Sequence, residues 1–296
     1  MNRFFQNARS LVYLCCSFAV MLVSLEAKAV VSCSAAATLP ASTYDASIAT
    51  NMTGSVTVTC TRNAADTSSA ATGYVRSLDG SGSVTYTIGA DGVNTGNTIA
   101  IFGANQLNYS LFRPPTFAST WSAGNTTQGT VNFGIGQTSS SFTTSFVMNV
   151  PAGRWNSPAG FYTELVTVFL TYGNTNTTSS FTNSVTVSPI CTFPTPPGDL
   201  NFGNYNSLAA GPALAATSAF QIRCTRGVVY SFGFDVVTST IPGVNLNYTL
   251  TSPAGGTSPN AAVNLNIVGS MPSGQSGTCN TATCAGSQPR TLMLSY

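Results

Sequence analysis

The sequence predicts an all-β protein, two tandem immunoglobulin-like antiparallel β-sandwich domains behind a signal peptide. Three observations carry this. Apolar and polar residues alternate over many short stretches, as strands with one buried face require. The chain is rich in Thr, Ser, Val, Gly and Asn and poor in the Glu, Lys, Gln and Leu that fill helices. It also repeats several short motifs in one order, which points to a duplicated unit.

Residues 1–29 read as the signal peptide. Arg3 and Arg9 precede the uncharged run SLVYLCCSFAVMLVSL, and Ala27 and Ala29 supply small residues for cleavage after Ala29. An uncleaved anchor is the alternative, but the run is short for a membrane span. Residues 30–178 form the first expected domain and residues 179–296 the second. In the first, SVTVTC puts Val56, Val58 and Cys60 on one strand face, and FTTSFVMNV covers Phe142 to Val150. Tyr162 to Tyr172 reads as a closing strand, and a further alternating stretch runs from Phe181 to Val187. In the second, VVYSFGFDVV spans Val228 to Val237. Gly, Asn and Pro clusters separate these stretches and supply the turns.

The repeat is visible in three pairs. VTCTR (58–62) answers IRCTR (222–226), LNYSLF (107–112) answers LNYTLT (246–251), and TVFLTY (167–172) answers TLMLSY (291–296). Cysteines frame both halves. Cys15 and Cys16 leave with the signal, so Cys33, Cys60, Cys191, Cys224, Cys279 and Cys284 remain. An even number in a secreted chain indicates disulfides. Six cysteines allow fifteen pairings, and order along the chain favours 33–60, 191–224 and 279–284. Zinc is disfavoured because the chain has no His and no CxxC.

Charge excludes several functions. Removing Arg3, Arg9, Lys28 and Glu26 leaves seven Arg and seven acids, with no Lys and no His. Such a surface does not neutralise phosphates or dock on acidic lipid, so nucleic acid is not an expected partner. Without His or Lys there is no Ser–His–Asp, Cys–His, Ser–Lys or Schiff-base chemistry. No catalytic residue, metal ligand or cofactor is expected, and Asp45, Asp66, Asp79 and Asp91 read as turn caps.

The order Cys, LNFGNY (200–205), CTRG (224–227), LNY and a Tyr-ended strand resembles the spore coat protein U-like domain family. The first half is similar through CTR, LNYSLF, Trp121 with Gly124, and GFYTELVTVFLTY, where Glu164 takes the place of the family's Asp. The resemblance implies a secreted subunit of an archaic chaperone–usher pilus, a group that includes two-domain tip adhesins. It implies a periplasmic chaperone, an outer-membrane usher and the next pilin subunit as partners of the second domain. It further implies passage through the periplasm to the cell surface, where the first domain meets a receptor or surface of unstated identity. A structural spore-coat or fibre-shaft protein is one alternative. A secreted carbohydrate-active enzyme with a carboxylate pair is another.

Pilin domains of this kind lack a closing strand, and an extended donor segment fills the gap by β-augmentation. Only Val30, Val31 and Ser32 precede Cys33 after cleavage, about 10 Å of chain, so no donor segment is expected there. SSFTNSVTVSPI before Cys191 is different. It places Phe181, Asn183, Val185 and Val187 on one face. Phe181, Val185 and Val187 are expected to complement the first domain within the same chain, with GNTNTT (173–178) as a flexible spacer. The alternative is that 181–187 is the first strand of the second domain. The sequence stops at Tyr296 straight after RTLMLSY, so the second groove is expected to wait for a neighbour's strand. A subunit that accepts and does not donate belongs at a fibre tip. Contact with a surface is expected from two loop segments, through Pro114, Pro115 and Phe117 and through Arg154 and Trp155.

Overall fold

The computed structural model describes residues 31–63, 72–76, 80–93, 98–113, 118–207 and 210–296. The expected signal peptide, Asp66, Asp79, Pro114, Pro115 and Phe117 lie outside the described residues. The described secondary structure is all β and builds two sandwiches.

The front sandwich contains β1 (Ser32–Thr38), β2 (Ser42–Tyr44), β3 (Thr50–Thr61), β4 (Tyr74–Arg76), β5 (Gly82–Gly92) and β6 (Ile99–Phe102). It continues with β7 (Asn105–Asn108), β8 (Ser110–Phe112), β9 (Thr127–Phe133), β10 (Ser139–Val150), β11 (Gly160–Tyr172) and β12 (Thr175–Val187). One sheet runs β1-β3-β10-β8. The other runs β2-β12-β11-β5, with β4 and β9 also on β5 and the β6–β7 hairpin on β11. Inward residues alternate along each strand, as in Val56, Val58 and Cys60 of β3. Phe146 links the sheets, with its ring centroid 5.0 Å from Trp121 and 5.5 Å from Phe181. The Trp121 indole donates to the Ile88 carbonyl at 2.9 Å, which removes the one polar cost of burying it.

The rear sandwich contains β13 (Cys191–Thr195), β14 (Leu214–Cys224), β15 (Val229–Phe234), β16 (Thr238–Ile241), β17 (Leu246–Thr251), β18 (Gly256–Thr257), β19 (Val263–Met271) and β20 (Leu292–Ser295). Its sheets run β13-β14-β19-β17-β16 and β18-β15-β20. The core is divided. Ile222, Cys224, Val228 and Tyr230 form one buried cluster, and Tyr248, Leu250 and Met271 another. Each copy opens with a disulfide across its first strand pair, Cys33–Cys60 and Cys191–Cys224, because those cysteines face each other in register. Closing the 27-residue separation of the first is worth roughly 3 kcal/mol in the chain-entropy account. Cys279–Cys284 closes a short loop ahead of β20.

β12 is longer than its apolar pattern announces. Residues 173–178 were expected as a flexible spacer, but only Gly173 and Asn174 turn, and the strand resumes at Thr175. Gly173 has φ +53°, the left-handed value that suits the first position of a two-residue hairpin turn. Thr and Ser then extend the ladder, since β-branched Thr fits a half-buried pleat. The 178/179 position thus falls inside a strand, and β12 pairs with β11 from Thr175 to Val187. On its other side Val185, Thr186 and Val187 pair in parallel with Ser42, Thr43 and Tyr44 of β2. Phe181, Asn183, Val185 and Val187 are buried in the front core.

Burying a Val is worth about 1.5–3 kcal/mol, and an unpaired carboxyl in its place adds a desolvation cost. Val185→Asp with Val187→Asp should therefore lower the front sandwich's stability by several kcal/mol and leave the rear near its own value. Thermal melting with limited proteolysis, read separately for each sandwich, checks this. Selective loss of the rear sandwich would contradict the pairing of β12.

Candidate strand-accepting groove

The ladders align the two copies residue by residue. β11 pairs with β5 so that Leu170 faces Ile88 and Val168 faces Ala90. β20 pairs with β15 so that Leu294 faces Phe232 and Leu292 faces Phe234. YTIGAD (86–91) and YSFGFD (230–235) are thus equivalent. This pair was missed in the sequence, although its Tyr, Gly and Asp keep their spacing.

Burial separates the equivalents. Val166, Val168 and Leu170, on the strand beside β12, are buried, and Tyr172 is 4% exposed. Their rear counterparts Arg290, Leu292 and Leu294 are only half-buried, and Tyr296 is 58% exposed. Phe232 and Phe234 are half-buried too, where Ile88 and Ala90 are buried. Across the gap Phe193 of β13 is 37% exposed. Among the described residues β20 pairs on one side only. The rear sandwich therefore has a free backbone edge beside a row of part-covered apolar side chains, at the place β12 occupies in front.

A polar cluster marks the end of each groove. In front, the Tyr109 hydroxyl donates to the Glu164 carboxylate, which is 2% exposed. Burial first, then the hydrogen bond and charge of Glu164, push the Tyr109 hydroxyl far above its ordinary range, so it stays a donor. Gly92 makes room, since a Cβ there would overlap the carboxylate. Asn183 of β12 stands opposite Glu164 in the ladder and is fully buried. In the rear, the Tyr248 hydroxyl donates to Gln288 Oε1 at 2.8 Å and accepts from Arg290 Nε at 2.6 Å. Arg290 Nη1 lies 3.5 Å from Asp235 Oδ2, and Asp235 Oδ1 accepts from the Thr291 amide at 3.1 Å. That amide bond, more than the guanidinium, holds the Asp235 carboxyl below its usual value. Extending the TVFLTY/TLMLSY alignment matches Gln288 to Glu164 and Arg290 to Val166. Neither rear residue was singled out in the sequence, because each gains meaning only from its front counterpart.

Of the expected contact residues, Arg154 and Trp155 are placed elsewhere. They were expected on an exposed loop, but Trp155 is 7% exposed, with Arg223 of the rear sandwich 5.1 Å from its ring centroid. Its carbonyl accepts from the Arg226 amide at 2.9 Å. The Arg154 amide donates to the Tyr44 hydroxyl at 3.2 Å, and its Nε is buried. Both residues belong to the junction between sandwiches, where a cation over indole and covered backbone outweigh exposure. Thr225 completes this junction. It is fully buried, donates its amide to the Ile190 carbonyl at 2.9 Å and its hydroxyl to the Ser188 carbonyl at 3.2 Å. The Ser188 amide in turn donates to the Tyr44 carbonyl at 3.0 Å. The Arg226 guanidinium also reaches the Asn105 side chain. The acids take structural places as well: Asp45 accepts from the Ser47 amide at 2.7 Å and Asp91 from the Ala123 amide at 3.1 Å.

No family model matches the chain, and no curated protein matches it. Among solved structures it is similar to the CsuC–CsuE chaperone–tip adhesion subunit pre-assembly complex from archaic chaperone-usher Csu pili of Acinetobacter baumannii. That likeness has 14% identity and a TM-score of 0.46, and covers 90% of this chain and 100% of that one. It is also similar to the CooA pilin subunit of enterotoxigenic Escherichia coli, with 16% identity and a TM-score of 0.25, over 50% of this chain and 88% of that one. Both scores are low, so function is read from this chain's own residues.

Trp155→Ala removes the ring under Arg223. It should cost about 3 kcal/mol, in the range for a buried Trp truncation, and make the two sandwiches melt more independently. Calorimetry checks this. An unchanged profile would mean that the indole does not couple them.

Proposed function

We propose that the chain is a secreted subunit of a chaperone–usher pilus, that it assembles by donor-strand complementation, and that it stands at the fibre tip as the adhesin. One observation carries the reading: the same groove is filled by β12 in the front copy and is open in the rear copy. A free edge beside apolar side chains is a template for a further strand. The occupied front copy supplies the pattern for it, antiparallel to β20 as β12 is to β11.

Under this reading a periplasmic chaperone covers the rear groove in transit, since an open edge invites aggregation. The outer-membrane usher then exports the chain, and the next pilin subunit supplies the strand. The front sandwich, closed by its own β12, faces outward and mediates surface attachment or biofilm formation. Pro114, Pro115 and Phe117 are the contact candidates that this reading keeps.

Leu294→Asp puts a charge on the groove floor. In the producing cells it should abolish incorporation into fibres while the front sandwich melts as before, and immunogold on the unaltered chain should label fibre ends. Incorporation of the Leu294→Asp chain at the normal level, or label along the whole shaft, would contradict the proposal.

A further inference from the structure

The rear groove is not uniformly apolar. Arg290 occupies an inward position of the register that Leu292 and Leu294 continue, where the front copy has Val166. Its side chain is 17% exposed. A guanidinium carries five N–H donors. Among the described residues, its hydrogen bonds go to the Tyr248 hydroxyl at 2.6 Å and to Asp235 at 3.5 Å, the second long for such a bond. A strand laid along β20 would take its remaining water. Burying the guanidinium with its remaining N–H groups unsatisfied is disfavoured, so the occupant has to bring a further acceptor.

The front copy shows which position of the filling strand takes a polar side chain. The β12 residue opposite Glu164 is Asn183, an amide among apolar neighbours Phe181, Val185 and Val187. The Asn183 side chain is buried opposite Glu164, and among the described residues neither its Nδ2 nor its Oδ1 makes a hydrogen bond. Tyr248 and Gln288 repeat the Tyr109–Glu164 pair in the rear, with Arg290 beside it. The front cluster holds an acid, Glu164, where the rear has the neutral Gln288 with the Arg290 guanidinium beside it.

We propose that the strand filling the rear groove carries a carboxylate or amide side chain at the position opposite Gln288, the one Asn183 takes in front, from which it reaches Arg290 diagonally, the place directly opposite Arg290 being that of Phe181. This rests on the donor-strand reading above. A carboxylate there suits Arg290, whereas in front it would bury a second acid beside Glu164, so the same feature keeps the incoming strand from displacing β12 in front. Specificity of this kind needs an attractive element in one site and a repulsive one in its rival.

The test uses the full chain and fluorescent peptides with the sequence of residues 177–187, TTSSFTNSVTV. Four versions are compared: the native sequence, N183D, N183L and N183K. Anisotropy titration should rank N183D first and the native sequence next. N183L and N183K should bind at least about tenfold more weakly than N183D, as expected when a charged donor is left unpaired. The preference should collapse in the Arg290→Met chain and persist in Arg290→Lys, which keeps the charge and serves if Arg290→Met does not fold. The Leu294→Asp chain should bind none, which locates the site. Equal binding of N183L and N183D, or a preference unchanged in Arg290→Met, overturns the proposal and leaves the groove reading standing. If no version binds the unaltered chain, the groove reading fails and the proposal with it.

Discussion

A β-sandwich has to satisfy both edges of each sheet. An uncovered ladder leaves backbone donors and acceptors beside the core, and each buried unsatisfied group costs about 1–3 kcal/mol. The front sandwich meets this constraint with β12, which pairs along its length with β11, joins β2, and fills the gap between the sheets with Phe181, Val185 and Val187. Removing that strand in thought exposes Val166, Val168 and Leu170 together. The rear sandwich has this exposure in fact, at Arg290, Leu292 and Leu294. Its smaller, divided core follows from the same gap.

Duplication followed by divergence explains how one scaffold holds both states. The disulfide, the Tyr-Gly-Asp strand and the Tyr-ended strand are shared. The differences concentrate where a strand is received. Glu164 becomes Gln288, Val166 becomes Arg290, and Gly92, which admits the Glu164 carboxylate, becomes Val236. The CTR motif diverges as well. Arg62 packs over Tyr74 and Phe133 inside the front copy, whereas Arg226 reaches across to Asn105. Junction and groove are therefore both built from positions with an ordinary role in the other copy.

Much of the fold was legible in the sequence. Alternation at Val56–Cys60 and Phe142–Val150 marks strands because each has one buried face, and the ordered motifs mark the duplication. The three disulfides follow chain order because the first two join neighbouring antiparallel strands and the third spans a short loop. The extent of β12 was not legible. Thr175 to Ser180 carry no apolar side chain, and their strand character comes from the partner β11. Trp155 was misread for a related reason: its loop composition suggests exposure, and only the proximity of Arg223 and Arg226 buries it. Arg290 stayed hidden because a lone Arg near a strand start looks like surface until the ladder turns it inward.

The central claim is that one groove is filled within the chain in front and open in the rear. The most direct measurement closes the rear groove artificially, by appending residues 173–187 after Tyr296 so that a second hairpin strand follows β20. The rear sandwich should then melt well above its unaltered value, and the amides of residues 292–295 should become as protected from hydrogen exchange as those of β11. Unchanged melting and unchanged exchange in that chain would show that the rear sandwich is already complete, and the account would fail.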